Sequence, residues 1–299
     1  MKRSVFLEAI KRKKLKEKII ENIFLICACV AVISLLAITF FVFYNGLKPF
    51  VSNSYSLWSF LTGVEWRPGS NLYGILYMFV GSIFATLGAI IIGVPVAILT
   101  AVFIAELAGS KVGKLIRFAV ELLAGIPSVL YGVFGLGIIV PYVLKISPMA
   151  QGESLLATIL VLAIMILPTV ISISETSLST VPMEYREGSY ALGASKIQTI
   201  FRVVIPAARS GIMTGVILGI GRAIGETMAV MLVCGNPIAG IPTSIFSQIR
   251  PLTTNIALEM GYAAGVHQEL LYSTGVVLFI FIMIINFTVN KLVKAKVGS

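Results

Sequence analysis

The amino-acid sequence predicts an all-α polytopic membrane protein with six transmembrane helices and both termini in the cytoplasm. Of its 299 residues, 58% are hydrophobic and only 12% are charged, whereas charged residues make up about 25% of a typical soluble domain. The chain also contains several uncharged runs longer than the roughly 20 residues that a helix needs to cross a bilayer. The distribution of Lys and Arg between the two sides of the membrane gives the orientation.

Six apolar runs give the positions of the predicted transmembrane helices. They are residues 23–44, 73–106, 118–144, 155–174, 212–234 and 271–289. The second run is longer than an upright span requires, and its small residues predict a tilted helix that packs closely against its neighbours. These small residues are Gly81, Ala85, Gly88 and Gly93. We expect Pro127 to break the third helix and Pro168 to kink the fourth.

Three segments between the spans carry further predictions. Residues 45–71 are rich in turn-forming residues and are interpreted as an outer loop whose Trp58 and Trp66 lie at the membrane interface. A short basic turn is expected at residues 111–117. Residues 238–249 are apolar but too short to cross the bilayer, so we interpret them as a re-entrant or interfacial helix.

Lys and Arg are distributed unevenly between the two sides of the predicted membrane. An N-terminus inside the cell places 18 of the 23 basic residues on the cytoplasmic side and 4 on the outer side, with Arg222 inside a span. Cytoplasmic loops of membrane proteins carry such an excess, which also accounts for the net charge of +10 without a nucleic-acid partner.

This topology divides the chain into four parts. They are a basic cytoplasmic N-terminal segment (1–20), a first transmembrane helix with an outer loop (21–72), a five-helix core (73–290) and a cytoplasmic C-terminal tail (291–299). We expect the basic N-terminal segment to lie on anionic membrane lipid.

The inventory of reactive side chains argues against catalysis by this chain. His267 is the only histidine, there is no aspartate, and the three cysteines lack metal-site spacing. We therefore expect no catalytic residue, no bound metal and no cofactor. The sequence also lacks the Gly-x-x-x-x-Gly-Lys-Ser/Thr motif that cradles nucleotide phosphates, so any ATP that drives the protein must be bound by another subunit.

The longest polar interruption between two apolar blocks is residues 182–211. Its pattern predicts two short helices joined by a hinge, with Gly193 supplying the left-handed residue that ends the first. Ser195 and Gln198 have capping-box spacing at the start of the second helix, which Pro206 stops. The second helix carries an apolar stripe at i, i+3, i+4 and i+7. The stripe consists of Ile197, Ile200, Phe201 and Val204.

Part of this loop resembles the EAA loop of the permease subunits of ABC importers. Glu187, Gly193 six residues later, and the Val-Val-Ile-Pro run that ends at Pro206 stand at that family's spacing. The resemblance implies that these positions, with Ala194, belong to a loop that fits into a cleft on a cytoplasmic ATPase subunit. Gly188 and Ser189 stand where the family has two alanines. The alternative is a structured linker on the membrane surface.

A second group of polar residues lies inside the fifth predicted span. Arg222 and Glu226 are four residues apart and would share one helix face. Arg222 follows Gly211 by 11 residues, or about 16 Å along a helix, which is near the bilayer midplane. Charges at that depth should face a partner or a wet cavity. Either the two residues neutralise each other, or Arg222 presents its donors to an oxyanion on a substrate pathway with Glu226 and Thr227.

The run Gly-Arg-Ala-Ile-Gly-Glu-Thr-Met-Ala-Val at residues 221–230, together with residues 121–132, resembles the phosphate-specific ABC importer permeases of the PstC type. The resemblance covers roughly residues 18–295 and implies a type I ABC importer permease in a bacterial or archaeal cytoplasmic membrane. It further implies three partners: a second permease of the PstA type, a cytoplasmic ATPase dimer and an extracytoplasmic phosphate-binding protein.

Two other functions stay open at this point. The loop would also suit an ABC permease for another oxyanion, such as molybdate or sulfate. An ATP-independent secondary carrier is the other alternative, although such carriers commonly show inverted internal repeats or paired broken helices. The two halves of this sequence show no such repeat.

Overall fold

A computed structural model describes residues 2–52 and 54–297; within residues 1–16 and 289–297 it describes the side chains of Lys14 and Lys291 alone. The charged side chains of the predicted N-terminal segment and C-terminal tail therefore lie largely outside the described residues. The longer helices are α1 (Lys2–Val51), α3 (Leu76–Val102), α4 (Ser110–Gly125), α7 (Leu155–Ser179), α11 (Arg209–Gly225) and α14 (Val266–Val297). The shorter helices are α2 (Leu57–Thr62), α5 (Ser128–Phe134), α6 (Val140–Ile146), α8 (Met183–Ala191), α9 (Lys196–Thr199), α10 (Ile205–Ala207), α12 (Met228–Met231) and α13 (Leu252–Glu259).

Among the described residues, three π-helical stretches, one short 3₁₀ helix (Pro68–Ser70) and one small hairpin complete the fold. Phe103–Leu107 extends α3, Gly135–Ile139 joins α5 to α6, and Ile200–Val204 joins α9 to α10. The strands β1 (Trp66–Arg67) and β2 (Leu72–Tyr73) pair antiparallel.

Within the described residues, five helical stretches are long and apolar enough to cross a membrane. They are Glu17–Val51, Leu76–Leu107, Ser128–Ile146, Leu155–Ser179 and Val266–Thr288. A sixth is added if the bent pair Lys196–Ala207 and Arg209–Gly225 is counted as one span. The predicted all-α, multi-pass architecture is thereby confirmed, whereas the orientation of the termini stays a prediction.

The contact between α3 and α7 depends on the small residues that the sequence places on α3. A Cβ added at Gly88 would lie 2.4 Å from Cδ1 of Ile159, and one at Gly93 would lie 2.8 Å from Cδ1 of Ile166. Both distances are too short for any side chain, so the two helices approach as closely as glycine permits. The prediction of close packing in this span is confirmed.

The C-terminal end of the first span differs from the prediction. Helix α1 continues to Val51, so residues 45–51 belong to the helix and not to the loop. Trp58 is 74% exposed, but Trp66 is completely buried and donates a hydrogen bond from Nε1 to Oε2 of Glu259 (2.7 Å). An interfacial position for Trp66 was therefore wrong, because its indole N–H has a buried carboxylate as its partner.

The third span begins later in the chain than expected. Helix α4 already starts at Ser110, so the predicted basic turn is helical, and it ends at Gly125. Ile126 then has extended backbone angles (φ −71°, ψ 127°), as the steric demand of the following Pro127 favours. The stretch that could cross the membrane is Ser128–Ile146, in place of residues 118–144.

Residues 238–249 are irregular, with a turn at residues 244–247, and not helical, which corrects the predicted interfacial helix. The amide of Trp66 donates to the carbonyl of Ile238 (2.8 Å), and the amide of Gly240 donates to the carbonyl of Val64 (3.1 Å). The segment thus pairs alongside the hairpin, which satisfies backbone groups that would otherwise be buried without partners. The helix in this part of the chain is α13, which begins after the segment ends.

Candidate functional site

The fifth spanning helix ends within the group of candidate substrate residues. Helix α11 stops at Gly225, and Glu226 has extended backbone angles (φ −70°, ψ 128°). A carboxylate oxygen of Glu226 instead accepts a hydrogen bond from the amide of Ala229 (3.0 Å), which supplies a partner to the first turn of α12. The helix face predicted for Arg222 and Glu226 is therefore wrong, and the described ion pairs include neither residue.

Arg222 is half-buried in the last turn of α11. Its Nη1 donates to Oγ1 of Thr169 on α7 (3.1 Å), which is its one hydrogen-bond partner among the described residues. A guanidinium has five N–H donors, so most of them are unused here. A fixed positive charge with unused donors is the arrangement by which arginine binds oxyanions.

Helix α11 leaves open space next to Arg222. A Cβ added at Gly221 or at Gly225 would meet no atom within 4 Å, and Leu218, one turn earlier, is 52% exposed. Residues three and four apart on a helix lie on neighbouring parts of its surface, so these positions form one open strip. The strip gives room for a solute or for a second subunit.

Glu226 and Thr227 lie at the break between α11 and α12. The backbone carbonyl of Glu226 accepts a hydrogen bond from Oγ1 of Thr253 (3.1 Å), and Oγ1 of Thr227 donates to the carbonyl of Gly225 (3.2 Å). Glu226, Thr253 and residues of α3 that include Ser82 line a cavity of about 10 Å³, enough for roughly one water molecule. Irregular backbone at membrane depth occurs where it is buried in protein or lines a cavity, and Glu226 at this break lines a cavity.

The loop at residues 182–211 has the two-helix form that the sequence predicts. Gly193, after α8, has a φ of +83°, and its amide donates to the carbonyl of Tyr190 (2.9 Å). Ser195 and Gln198 form the capping box, with bonds of 3.3 Å and 2.9 Å. The left-handed turn and the capped second helix are therefore confirmed.

Of the four residues in the predicted apolar stripe on the second helix, only two are buried. Ile200 and Val204 are buried in the bundle, but Ile197 and Phe201 are each 54% exposed. The stretch Ile200–Val204 is π-helical, which changes the angular spacing on which an α-helical stripe depends. Pro206 does not end the helix at once: it lies inside α10, just before a bend of 70° into α11.

The surface of this loop is exposed and partly apolar. No residue of α8 is buried, and Glu187, Gly193 and Pro206 are exposed while Ala194 is half-buried. Large apolar side chains on the same loop are also exposed, most of all Leu192 at 91%. An exposed apolar patch rimmed by polar residues is typical of a docking surface.

A buried polar cluster beside the hairpin was not predicted. Glu259 forms an ion pair with Arg250 and accepts hydrogen bonds from Trp66 and from Nε2 of His267 (2.7 Å each). Burial raises the pKa of the nearby Tyr73 phenol, and Tyr55 and Glu259 raise it further. The cluster joins the hairpin, α13 and α14, which are distant in sequence, so no local pattern could have revealed it.

Comparisons with known proteins agree with this architecture. Residues 93–298 match the family described as "Binding-protein-dependent transport system inner membrane component". The chain is 40% identical over 273 residues to "Probable ABC transporter permease protein YqgH" of Bacillus subtilis, covering 89% of this chain and 88% of that protein. It is 37% identical over 247 residues to "Phosphate transport system permease protein PstC" of Mesorhizobium japonicum, covering 76% and 75%.

Solved structures show a similar fold at low sequence identity. One is the MetNI methionine ABC transporter in inward-facing conformations, with a TM-score of 0.55 at 21% identity, covering 74% of this chain and 94% of that one. Another is a bacterial alginate ABC transporter, with a TM-score of 0.57 at 15% identity, covering 88% and 93%. At such identities the likeness concerns the fold alone.

Proposed function

This chain belongs to the family of inner membrane components of binding-protein-dependent transport systems, and we propose that it is the PstC-type permease subunit of an ATP-driven importer of inorganic phosphate. The predicted fold, a type I ABC importer permease, is confirmed by the family match and the fold comparisons. The protein is a multi-pass component of the cytoplasmic membrane, and a separate subunit hydrolyses ATP. It works with a second permease, a cytoplasmic ATPase dimer and an extracytoplasmic phosphate-binding protein.

The observation that carries the proposal for the substrate is the state of Arg222. Its guanidinium has unused donors, lies beside open space and, among the described residues, has no carboxylate within ion-pair distance. We place phosphate against this side chain, in a pathway shared with the second permease. Glu226 and Thr227 lie at the adjoining helix break and line the same pathway.

The chemistry of Glu226 favours phosphate over sulfate. At neutral pH phosphate still carries a hydroxyl group, which can donate a hydrogen bond to a carboxylate, whereas sulfate has no proton to donate and would be repelled. Specificity of this kind arises from an element that disfavours the wrong ligand as well as one that binds the right ligand.

A competition experiment tests the substrate. The chain is reconstituted in proteoliposomes with the second permease, the ATPase and the binding protein, and uptake of labelled phosphate is measured with unlabelled anions in about tenfold excess. We expect unlabelled phosphate to suppress uptake about tenfold and sulfate or molybdate to leave it nearly unchanged, a difference of about 1.4 kcal/mol or more in recognition. Strong competition by sulfate or molybdate would favour the other oxyanion permease, and uptake without the ATPase would favour a secondary carrier.

The loop at residues 182–211 is the element that we propose to dock on the ATPase; we call it the coupling loop. Its exposed apolar residues and its exposed Glu187 suit insertion into a cleft on another protein. Gly193 sets the angle between its two helices because a side chain there would be strained by the positive φ, although nothing lies near its Cβ position. Ala194 precedes the capping residue of the second of these helices, and Pro206 lies in its last turn, before the bend into α11.

The predicted orientation of the chain in the membrane places the coupling loop in the cytoplasm, and thiol labelling can test this. In a chain whose three cysteines are replaced by serine, Ser54→Cys and Lys196→Cys introduce single thiols at exposed positions. Lys196 lies next to the capping residue Ser195, so the cap stays intact. We expect an impermeant thiol reagent added to intact cells to modify position 54 and to reach position 196 only after the membrane is opened. The opposite labelling pattern would reverse the topology.

A further inference from the structure

Arg186 holds the coupling loop against the inner end of α3. This residue lies on α8, and its Nη2 donates to Oε1 of Glu106 at 2.6 Å while its Nε donates to Oε2 at 3.4 Å. The two side chains are 12% and 7% exposed. A two-point contact between a guanidinium and a carboxylate fixes orientation as well as distance.

The same guanidinium also binds the end of α7. Nη2 donates to the carbonyl of Leu178 (3.1 Å), and Nη1 donates to the carbonyls of Val181 (2.6 Å) and Pro182 (3.4 Å). The last carbonyls of a helix have no partner within the helix and carry its partial negative charge. Arg186 therefore ties three segments together: α8, the end of α7 and the end of α3.

Glu106 lies at one end of a helix whose other end reaches the candidate substrate site. It belongs to the π-helical stretch Phe103–Leu107 that extends α3. Ser82, 24 residues earlier, accepts a hydrogen bond from the amide of Leu252 (3.1 Å) and lines the cavity beside Glu226. At 1.5 Å per residue the two positions are about 36 Å apart along one continuous helical stretch.

From this arrangement we propose that the Arg186–Glu106 pair is the joint that passes movement of the coupling loop to α3 and so to the cavity at Glu226. This inference rests on the proposed docking of the coupling loop on an ATPase. No residue of α8 is buried, so α8 lacks an apolar anchor of its own, and the charged contact supplies the connection to α3. Both residues are positioning residues, because neither reaches the substrate site.

A second ion pair provides a matched control. Arg117 on α4 donates to Glu175 on α7 at 2.5 Å, and Arg117 is 48% exposed. This pair joins two helices on the same part of the bundle but involves no residue of the coupling loop. A pair that only stabilises the fold should respond to substitution as this one does.

The test compares phosphate imported per ATP hydrolysed in proteoliposomes that contain the complete complex. The variants are Arg186→Gln, Arg186→Lys, the double change Glu106→Gln with Arg186→Gln, and the control Arg117→Gln. The double change matters because a single change leaves a buried charge without its partner, which by itself destabilises the fold. The amount of ATPase that copurifies with the chain is measured for every variant.

We expect Arg186→Gln and the double variant to keep the ATPase bound but to lower import per ATP at least fivefold. Arg186→Lys should lie between them and the unaltered complex, since an ammonium keeps the charge but cannot reach the carboxylate and the carbonyls together. The control Arg117→Gln should leave the ratio unchanged. The proposed joint is wrong if the double variant imports as much phosphate per ATP as the unaltered complex, or if it fails to assemble, because the pair then serves folding alone.

A Gly193→Val variant separates this inference from the function of the loop. The positive φ at Gly193 is strained for valine and should misalign the loop helices, which lowers import per ATP if the loop couples to the ATPase. If import per ATP falls with Gly193→Val but not with the Arg186–Glu106 variants, the proposed joint alone is wrong. If neither set of changes lowers the ratio, both the joint and the proposed docking of the loop fail.

Discussion

Replacement of Arg222 by glutamine is expected to abolish phosphate import by the assembled complex. Arg222 is the only Lys or Arg in the fifth predicted span, most of its donors are unused, and open space lies beside the helix at the neighbouring Gly221 and Gly225. Loss of a charge-assisted two-point contact costs about 3 kcal/mol, which corresponds to roughly a hundredfold lower rate. The measurement is the initial rate of phosphate uptake per assembled complex in proteoliposomes.

Two further variants show whether the loss reflects substrate contact. Arg222→Lys should restore only part of the rate, because a compact ammonium cannot reproduce the planar fork of a guanidinium. The double change Arg222→Gln with Glu226→Gln should stay as inactive as the single change, since the two residues form no ion pair in the structure. Arg117→Gln serves as the control for the loss of a basic residue outside the pathway.

Recovery of import in the double variant would contradict this role for Arg222. Recovery is the behaviour expected of two charges whose only task is to neutralise each other, because removing both then leaves nothing unpaired. A fall in the amount of assembled complex that matches the fall in uptake would also contradict it, since Arg222 would then be needed for folding and not for transport.

The parts of the fold that the sequence predicts correctly depend on short-range physics. The capping box of Ser195 and Gln198 and the left-handed Gly193 are each decided by residues within one or two turns. The spans follow from the cost of leaving apolar residues in water, which acts residue by residue. These features can be predicted from a single sequence because the interactions that determine them are local.

The predicted common helix face of Arg222 and Glu226 is wrong because it depends on more than local sequence. Four-residue spacing puts two side chains on one face only if the helix continues between them, and α11 ends at Gly225. Glu226 instead caps α12 by accepting a hydrogen bond from the amide of Ala229. The competition between continuing one helix and capping the next depends on tertiary contacts, such as that of Thr253 with the carbonyl of Glu226.

Contacts between segments that are distant in sequence could not be predicted, because no local pattern indicates them. Arg186 finds Glu106, 80 residues away, and Trp66 finds Glu259, 193 residues away. Both carboxylates are solitary in sequence, and no local period distinguishes a solitary buried carboxylate from an exposed one. The one feature of the sequence that singles out Glu106 is its position at the end of a long uncharged run. A charge at a membrane boundary is common, so this feature does not predict the contact with Arg186.

The largest loss of stability is expected for Glu259→Ala. The carboxylate of Glu259 is the partner of Arg250, which is 4% exposed, donates to Glu259 from Nη2 and has no acceptor for its Nε among the described residues. Removal of one member of a buried ion pair costs about 3–5 kcal/mol, because the remaining charge is left without compensation. Trp66 and His267 lose an acceptor in the same change. The measurement is the midpoint of thermal unfolding of the detergent-solubilised chain.

The control for this change is Glu65→Ala in the neighbouring hairpin region. Oε2 of Glu65 lies 3.6 Å from Nε of Arg67, and the two side chains are 41% and 48% exposed. An exposed ion pair of this kind contributes less than about 1 kcal/mol to stability. The double change Arg250→Met with Glu259→Met should recover much of the stability lost in Glu259→Ala, since it removes both buried charges and keeps the volume filled. If Glu259→Ala unfolds at the same temperature as the control, the cluster does not hold the hairpin, α13 and α14 together. Both variants lack the acceptor of Trp66 and His267, so if the double change is less stable than Glu259→Ala, the unpaired charge of Arg250 does not dominate the loss.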